Sequence, residues 1–128
     1  MNEVSNYLFT NNGQSCVAPT RVFAHSSIYD KFLNRIKIKA ELRKVGGQFD
    51  AETTLGPITK PDQFQKILSL IETGRKEGAR LVTGGERIGE IGHFIQPTVF
   101  ADVEDSMEIA KEEVHLHQYS FILKRIYY

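Results

Sequence analysis

The sequence predicts an α/β fold in three layers around a mostly parallel sheet. Two long stretches carry a helical apolar stripe. Short runs rich in β-branched and aromatic residues stand before, between and after them. The two kinds of element are mixed along the chain rather than segregated, which is the pattern of helices laid against a sheet. At 128 residues the chain is one domain's worth of polypeptide, or a piece of a larger one.

Residues 1–16 read as the last turns of a helix, with Val4, Leu8 and Phe9 apolar, running into the polar turn-formers Asn11, Asn12 and Gly13. Val17 to Ala24 reads as a strand, interrupted near its start by Pro19. Ser26-Ser27 opens a helix, with Ser27 and Asp30 in a capping-box spacing. Phe32, Leu33, Ile36, Ala40 and Leu42 form the stripe behind it, and Gly46-Gly47 supplies the stop. Gln48 to Thr59 has no periodicity and reads as a loop. Lys60-Pro61-Asp62 starts a second helix, with proline in the first turn and an acid suited to the helix dipole. Its face is Phe64, Ile67, Leu68 and Ile71, with Glu72 and Lys76 placed to pair; Gly74 and Gly78 end it. Arg80 to Thr83 and Phe94 to Phe100 read as strands, the second bent or at a sheet edge at Pro97. Asp102 to Glu113 is an acidic turn, and Ser120 to Tyr128 is a terminal strand. No repeat, low-complexity segment or inter-domain linker interrupts this order.

Sixteen basic and 16 acidic residues cancel, so there is no electrostatic footprint for nucleic acid or an anionic membrane. No apolar run approaches the length of a membrane span. Met1 to Leu8 contains Glu3 and no basic cluster, unlike a signal or transit peptide. The expected location is the cytoplasm, with the mitochondrion as the alternative. One cysteine excludes an internal disulfide framework and fits a reducing compartment.

That cysteine, Cys16, is the chief candidate for chemistry, because a thiolate is the best side-chain nucleophile near neutral pH. A lone cysteine is most often a small core residue. Here, however, it follows the polar turn Asn11-Asn12-Gly13-Gln14-Ser15. A thiol just beyond a helix end, near free backbone N–H groups, suits both attack and oxyanion binding. Other candidates are weaker. Gly84-Gly85-Glu86 with Gly89 and Gly92 matches no phosphate-loop spacing and reads as a hairpin or surface loop. His115 and His117 are too few for a zinc site. Asp102, Glu104, Asp105, Glu108, Glu112 and Glu113 read as a solvated face, although one such acid could accept hydrogen bonds from a ribose.

The stretch Phe9-Thr10-Asn11-Asn12-Gly13-Gln14-Ser15-Cys16 resembles the F-x-N-x-G-Q-x-C active-site signature of the aldehyde dehydrogenase superfamily. The resemblance runs on in order through Ile28-Tyr29-Asp30-Lys31-Phe32, Leu55-Gly56-Pro57, Gln63-Phe64-Gln65-Lys66-Ile67 and Glu77-Gly78-Ala79. It ends with Gly92-His93-Phe94-Ile95-Gln96-Pro97-Thr98-Val99-Phe100 and Ile109-Ala110-Lys111-Glu112-Glu113. The retinal and mitochondrial-acetaldehyde branch is the most similar in appearance.

The resemblance implies part of a catalytic domain that oxidises an aldehyde to a carboxylic acid with NAD or NADP. Cys16 would be the nucleophile, passing through a thiohemiacetal and a thioester. Glu113 would bind the nicotinamide ribose, with Gln63 and Lys66 beside the same cofactor. The dinucleotide-binding domain, the general-base glutamate, a second oxyanion donor and the oligomerising strand would lie outside these 128 residues. The family pattern E-E-[IV]-F-G-P stands here as Glu112-Glu113-Val114-His115-Leu116-His117, so the aromatic and the Gly-Pro turn are replaced. The implied partners are an aldehyde and copies of the same chain. The alternative is an inactive fragment that associates with a full-length relative.

Overall fold

The computed structural model describes residues 7, 9–15, 18–112 and 120–127, with the backbone alone for 120–123. Helices α1 (Ser26–Glu41), α2 (Pro61–Lys76) and the short α3 (Glu108–Lys111) accompany six strands. These are β1 (Arg21–His25), β2 (Arg80–Thr83), β3 (Arg87–Ile88), β4 (Phe94–Ile95), β5 (Thr98–Ala101) and β6 (Ser120–Ile126). Four of them form one sheet in the order β1-β6-β5-β2. β6 runs parallel to both β1 and β5, with Val22 opposite Leu123 and Val99 opposite Phe121. β2 is antiparallel to β5, with Leu81 opposite Phe100. The sheet is therefore mostly parallel, as expected.

The alternation of side chains along β5 explains the layering. Val99 and Ala101 join the apolar cluster of α1, made by Tyr29, Phe32, Leu33, Ile36 and Ala40. Phe100 joins the opposite cluster, with Phe64, Ile67 and Ile71 of α2 and Ile109 of α3. All four β5 residues are buried because a helix covers each face. The α1 stripe at 29, 32, 33, 36 and 40 follows the helical period, as does 64, 67 and 71 in α2. Among the described residues no helix is long and apolar enough to cross a membrane.

Several boundaries differ from expectation, each for a local reason. The first strand begins at Arg21 rather than Val17; Pro19 has no N–H, and Thr20 N–H turns back to the Ala18 carbonyl. His25, not Ser27, caps α1: its Nδ1 accepts from the Ser27 N–H at 3.2 Å. Asp30 is thereby released to pair with Arg125 at 2.9 Å. α1 stops at Glu41, well short of Gly46, which leaves Leu42 72% exposed and outside the stripe. Glu72 pairs with Arg75 at 3.0 Å instead of Lys76. Gly74 is interior to α2, which closes at Gly78 with φ of 91°. The run from Phe94 to Phe100 is two strands, split at Gln96-Pro97: β4 turns back on β3 in a separate hairpin while β5 enters the main sheet. That hairpin holds Gly89 and Gly92, while Gly84 and Gly85 lie between β2 and β3. Part of the acidic stretch is α3. His115 and His117 lie outside the described residues.

One network ties α1 to the end of β5. The buried Tyr29 hydroxyl donates to Asp102 Oδ1 at 2.7 Å and accepts from the Asp102 N–H at 3.1 Å. Arg80 Nε holds the other carboxylate oxygen at 2.6 Å, and the Arg125 guanidinium lies 4.1 Å above the Tyr29 ring. Asp102 itself sits at φ 55°, where few non-glycine residues rest without such support. Burial, and then donation to the Asp102 carboxylate, push the Tyr29 hydroxyl above the ordinary tyrosine value of 10.0.

Three outcomes follow. Tyr29→Phe strands the Asp102 N–H and should cost about 1–3 kcal/mol in urea unfolding at neutral pH. Because the folded value is raised, the stability Tyr29 contributes is complete below pH 10 and is lost as pH rises through the raised value. The stability of Tyr29→Phe should accordingly fall less between neutral and strongly alkaline pH than that of the unsubstituted chain. Gly84 has φ of 76°, and an added Cβ would stand 2.1 Å from the Pro97 carbonyl oxygen. Gly84→Ala should therefore destabilise by roughly 2–4 kcal/mol in the same measurement, from clash and backbone strain together.

Candidate active site

The turn before the cysteine is a 3-10 segment, Thr10–Gly13, reached from the buried Phe9. Asn11, Asn12 and Gly13 have φ of 51°, 58° and 68°, three consecutive residues in the left-handed region. Asparagine and glycine are the residues that occupy this region at least cost, so the sequence N-N-G and the geometry agree. The Gln14 N–H donates to the Asn11 carbonyl at 2.9 Å, and Asn11 Nδ2 donates to the Gln14 carbonyl at 2.9 Å. Beyond it the Ala18 N–H donates to the Ser15 carbonyl at 3.1 Å. Cys16 itself lies outside the described residues.

This turn is clamped onto a distant loop. The buried Asn12 Nδ2 donates to the carbonyls of Gly56 at 2.8 Å and Pro57 at 3.1 Å. Gln14, also buried, uses Oε1 to accept from Thr59 N–H at 3.2 Å and Thr59 Oγ at 3.1 Å. Its Nε2 donates to the Asn11 carbonyl at 3.3 Å and the Pro57 carbonyl at 3.4 Å. The loop is itself anchored. Leu55 bridges to Val45, Ile58 is 1% exposed, and the Ile58 N–H donates to the His93 carbonyl at 2.8 Å. The stretch 48–59 carries no periodicity, and nothing in it signals that its carbonyls would face the cysteine turn; the only cue is the spare amides of Asn12 and Gln14.

The loop leads straight into α2, which carries Gln63 and Lys66 three residues apart, hence on neighbouring positions of one face. Lys66 Nζ lies 3.7 Å from the Glu112 carboxylate, both side chains about half exposed. This pair ties α2 to the residue that precedes Glu113, which is itself outside the described residues. The ammonium and carboxylate paired there have the chemistry to meet sugar hydroxyls, one as donor and the other as acceptor, with the Gln63 amide one helical turn before Lys66. The residues present thus fit a nucleotide ribose. Among the described residues no cluster of acids, histidines or cysteines could hold a metal ion.

Residues 1–115 match the sequence model of the Aldehyde dehydrogenase family. The mitochondrial aldehyde dehydrogenase of Homo sapiens is 50% identical over 107 residues, covering 84% of this chain and 21% of that protein. The mitochondrial benzaldehyde dehydrogenase of Antirrhinum majus is also 50% identical over 107 residues, 84% of this chain and 20% of its own length. The chain thus spans about a fifth of the curated relatives it matches. Among solved structures, the NAD+ complex of aldehyde dehydrogenase from Bacillus cereus superposes with a TM-score of 0.91 at 37% identity, over 98% of this chain and 25% of that one. Betaine aldehyde dehydrogenase from Staphylococcus aureus, in complex with NAD+, gives 0.90 at 30% identity, over 99% and 26%.

The clamp yields one outcome. In Asn12→Asp a carboxylate would face two carbonyl oxygens that now receive an amide donor. We expect it to be less stable than the unsubstituted chain by about 1–3 kcal/mol in urea unfolding at neutral pH, with part of the loss recovered as pH falls towards about 4, because burial against two carbonyls raises the folded acid above the free aspartate value.

Proposed function

Because the chain belongs to the aldehyde dehydrogenase family, we propose that it supplies the nucleophile, and part of the cofactor-binding surface, of an NAD- or NADP-dependent oxidation of aldehydes to carboxylic acids. The observation that carries this reading is the clamped left-handed turn leading into Cys16, built from the N-x-G-Q residues of the signature. The Cys16 thiolate adds to the carbonyl carbon, forming a C–S bond and placing negative charge on the carbonyl oxygen, which the Cys16 backbone N–H helps to hold. Bound NAD or NADP supplies the acceptor for the hydride that leaves this carbon. Water then attacks the resulting thioester, releasing the acid and returning the thiolate. Glu113 would accept from the ribose hydroxyls, with Gln63 and Lys66 donating beside it. The location that goes with this reading is cytoplasmic or mitochondrial; the two curated relatives named above, from Homo sapiens and Antirrhinum majus, are mitochondrial by name.

A second reading is favoured by Leu42, Phe49 and Ile91, which stand 72%, 95% and 90% exposed. Apolar surface of this kind suits association with a full-length relative, in which this chain would be inactive alone. The two readings separate in one experiment. Under the first, the purified chain with NAD+ and a short aliphatic aldehyde produces NADH absorbance, and Cys16→Ala abolishes it. A stable complex with a full-length relative, and no absorbance change from the chain alone, would establish the second.

A further inference from the structure

We propose that Gln14 and Thr59 are positioning residues for the Cys16 thiol, a role that rests on reading Cys16 as the nucleophile. Gln14 lies two positions before the cysteine and is 9% exposed. Both polar atoms of its amide are engaged, Oε1 by the Thr59 N–H and hydroxyl and Nε2 by the carbonyls of Asn11 and Pro57. Three of these four bonds cross 43 to 45 residues of sequence. They join a polar turn, anchored in the core on one side by Phe9, to a loop fixed by Ile58 and its bond to His93.

The chemistry requires such a brace. Asn11 and Asn12 both hold left-handed conformations that cost free energy. Asn11 is exposed and Asn12 Oδ1 is buried without a hydrogen-bond partner among the described residues. Relaxation of the turn is therefore favoured unless contacts from outside oppose it. Gln14 and Asn12 make those contacts, and Gln14 is the nearer of the two to Cys16 in sequence. Attack on a carbonyl depends steeply on placement, and a displacement of about 1 Å costs on the order of 100-fold in rate. Thr59 acts at one remove: its hydroxyl and N–H orient the Gln14 amide so that Nε2, rather than Oε1, meets the Pro57 carbonyl.

The test measures iodoacetamide alkylation of Cys16 in the 128-residue chain, folded and in urea, from about pH 6 to 9. The folded-to-unfolded rate ratio removes intrinsic thiol chemistry and leaves what the fold contributes. The unsubstituted chain should show a ratio above one, with a thiolate titrating below the free value of about 8.5. Gln14→Ala should move the ratio about tenfold towards one. Thr59→Val, which keeps the N–H bond, should move it part of the way, and Thr59→Ser should restore it. A merely structural bond would lower the melting temperature and leave the ratio and the titration midpoint where they were, and that result in Gln14→Ala and Thr59→Val overturns the proposal. If Gln14→Ala has no folded circular-dichroism spectrum, the exposed position 59 decides alone through the contrast between valine and serine. A ratio of one or less in the unsubstituted chain overturns the nucleophile reading instead, and the positioning role with it.

Discussion

Strand β5 has no face left for water, and the remainder of the molecule is arranged to keep it so. Four residues, Thr98 to Ala101, are packed by α1 on one side and α2 with α3 on the other. A strand buried on both faces must satisfy its backbone within the sheet, which β6 and β2 do from either edge. It must also be entered and left by tight turns. Gly84 permits the close approach of Pro97 at one end, and Asp102, held by Tyr29 and Arg80, makes the exit at the other. Substitutions at these ends act on the whole sandwich because the strand between them contacts both halves of the core.

The active-site turn hangs from the same frame. Phe9 is a member of the α1 cluster, and Ile58 is a member of the α2 cluster. The hydrogen bonds of Asn12 and Gln14 therefore join two segments that are each seated in a different half of the core. The thiol-bearing turn and the face of α2 that carries Gln63 and Lys66 share one short loop as their common support. This arrangement gives a physical reason for two separated pieces of the family pattern, N-x-G-Q and L-G-P-x-x, to occur together: one supplies amides and the other supplies the carbonyls they need.

Helices α1 and α2 were legible because their apolar residues keep the helical period and because Pro61 and Gly78 mark boundaries by covalent geometry alone. The buried double-sided strand was legible as an apolar run, but its split from β4 was not. Nothing local says that Phe94 and Ile95 turn back on Arg87 and Ile88 while Thr98 onward joins the sheet; that is settled by Pro97 packed against Gly84. The capping of α1 was misread for a similar reason. Ser27 and Asp30 had the spacing of a capping box, yet Arg125, distant in sequence, takes the aspartate and the His25 ring takes the cap. Of the candidate site, the cysteine motif was visible as residue types in a fixed order. The clamp left only the spare amides of Asn12 and Gln14 as a trace, because a hydrogen bond between positions 14 and 59 leaves no pattern that names the partner loop.

The distance that clamp spans has a consequence for how the site comes into being. Gln14 leaves the ribosome 45 residues ahead of Thr59, so the signature is synthesised long before the groups that shape it. Closing a span of this size is thermodynamically mild, since each doubling of a loop adds only about 0.6 kcal/mol. In time, however, it is a late event, because contacts remote in sequence form after local helices. A nascent chain ending before residue 59 thus carries the motif without the geometry.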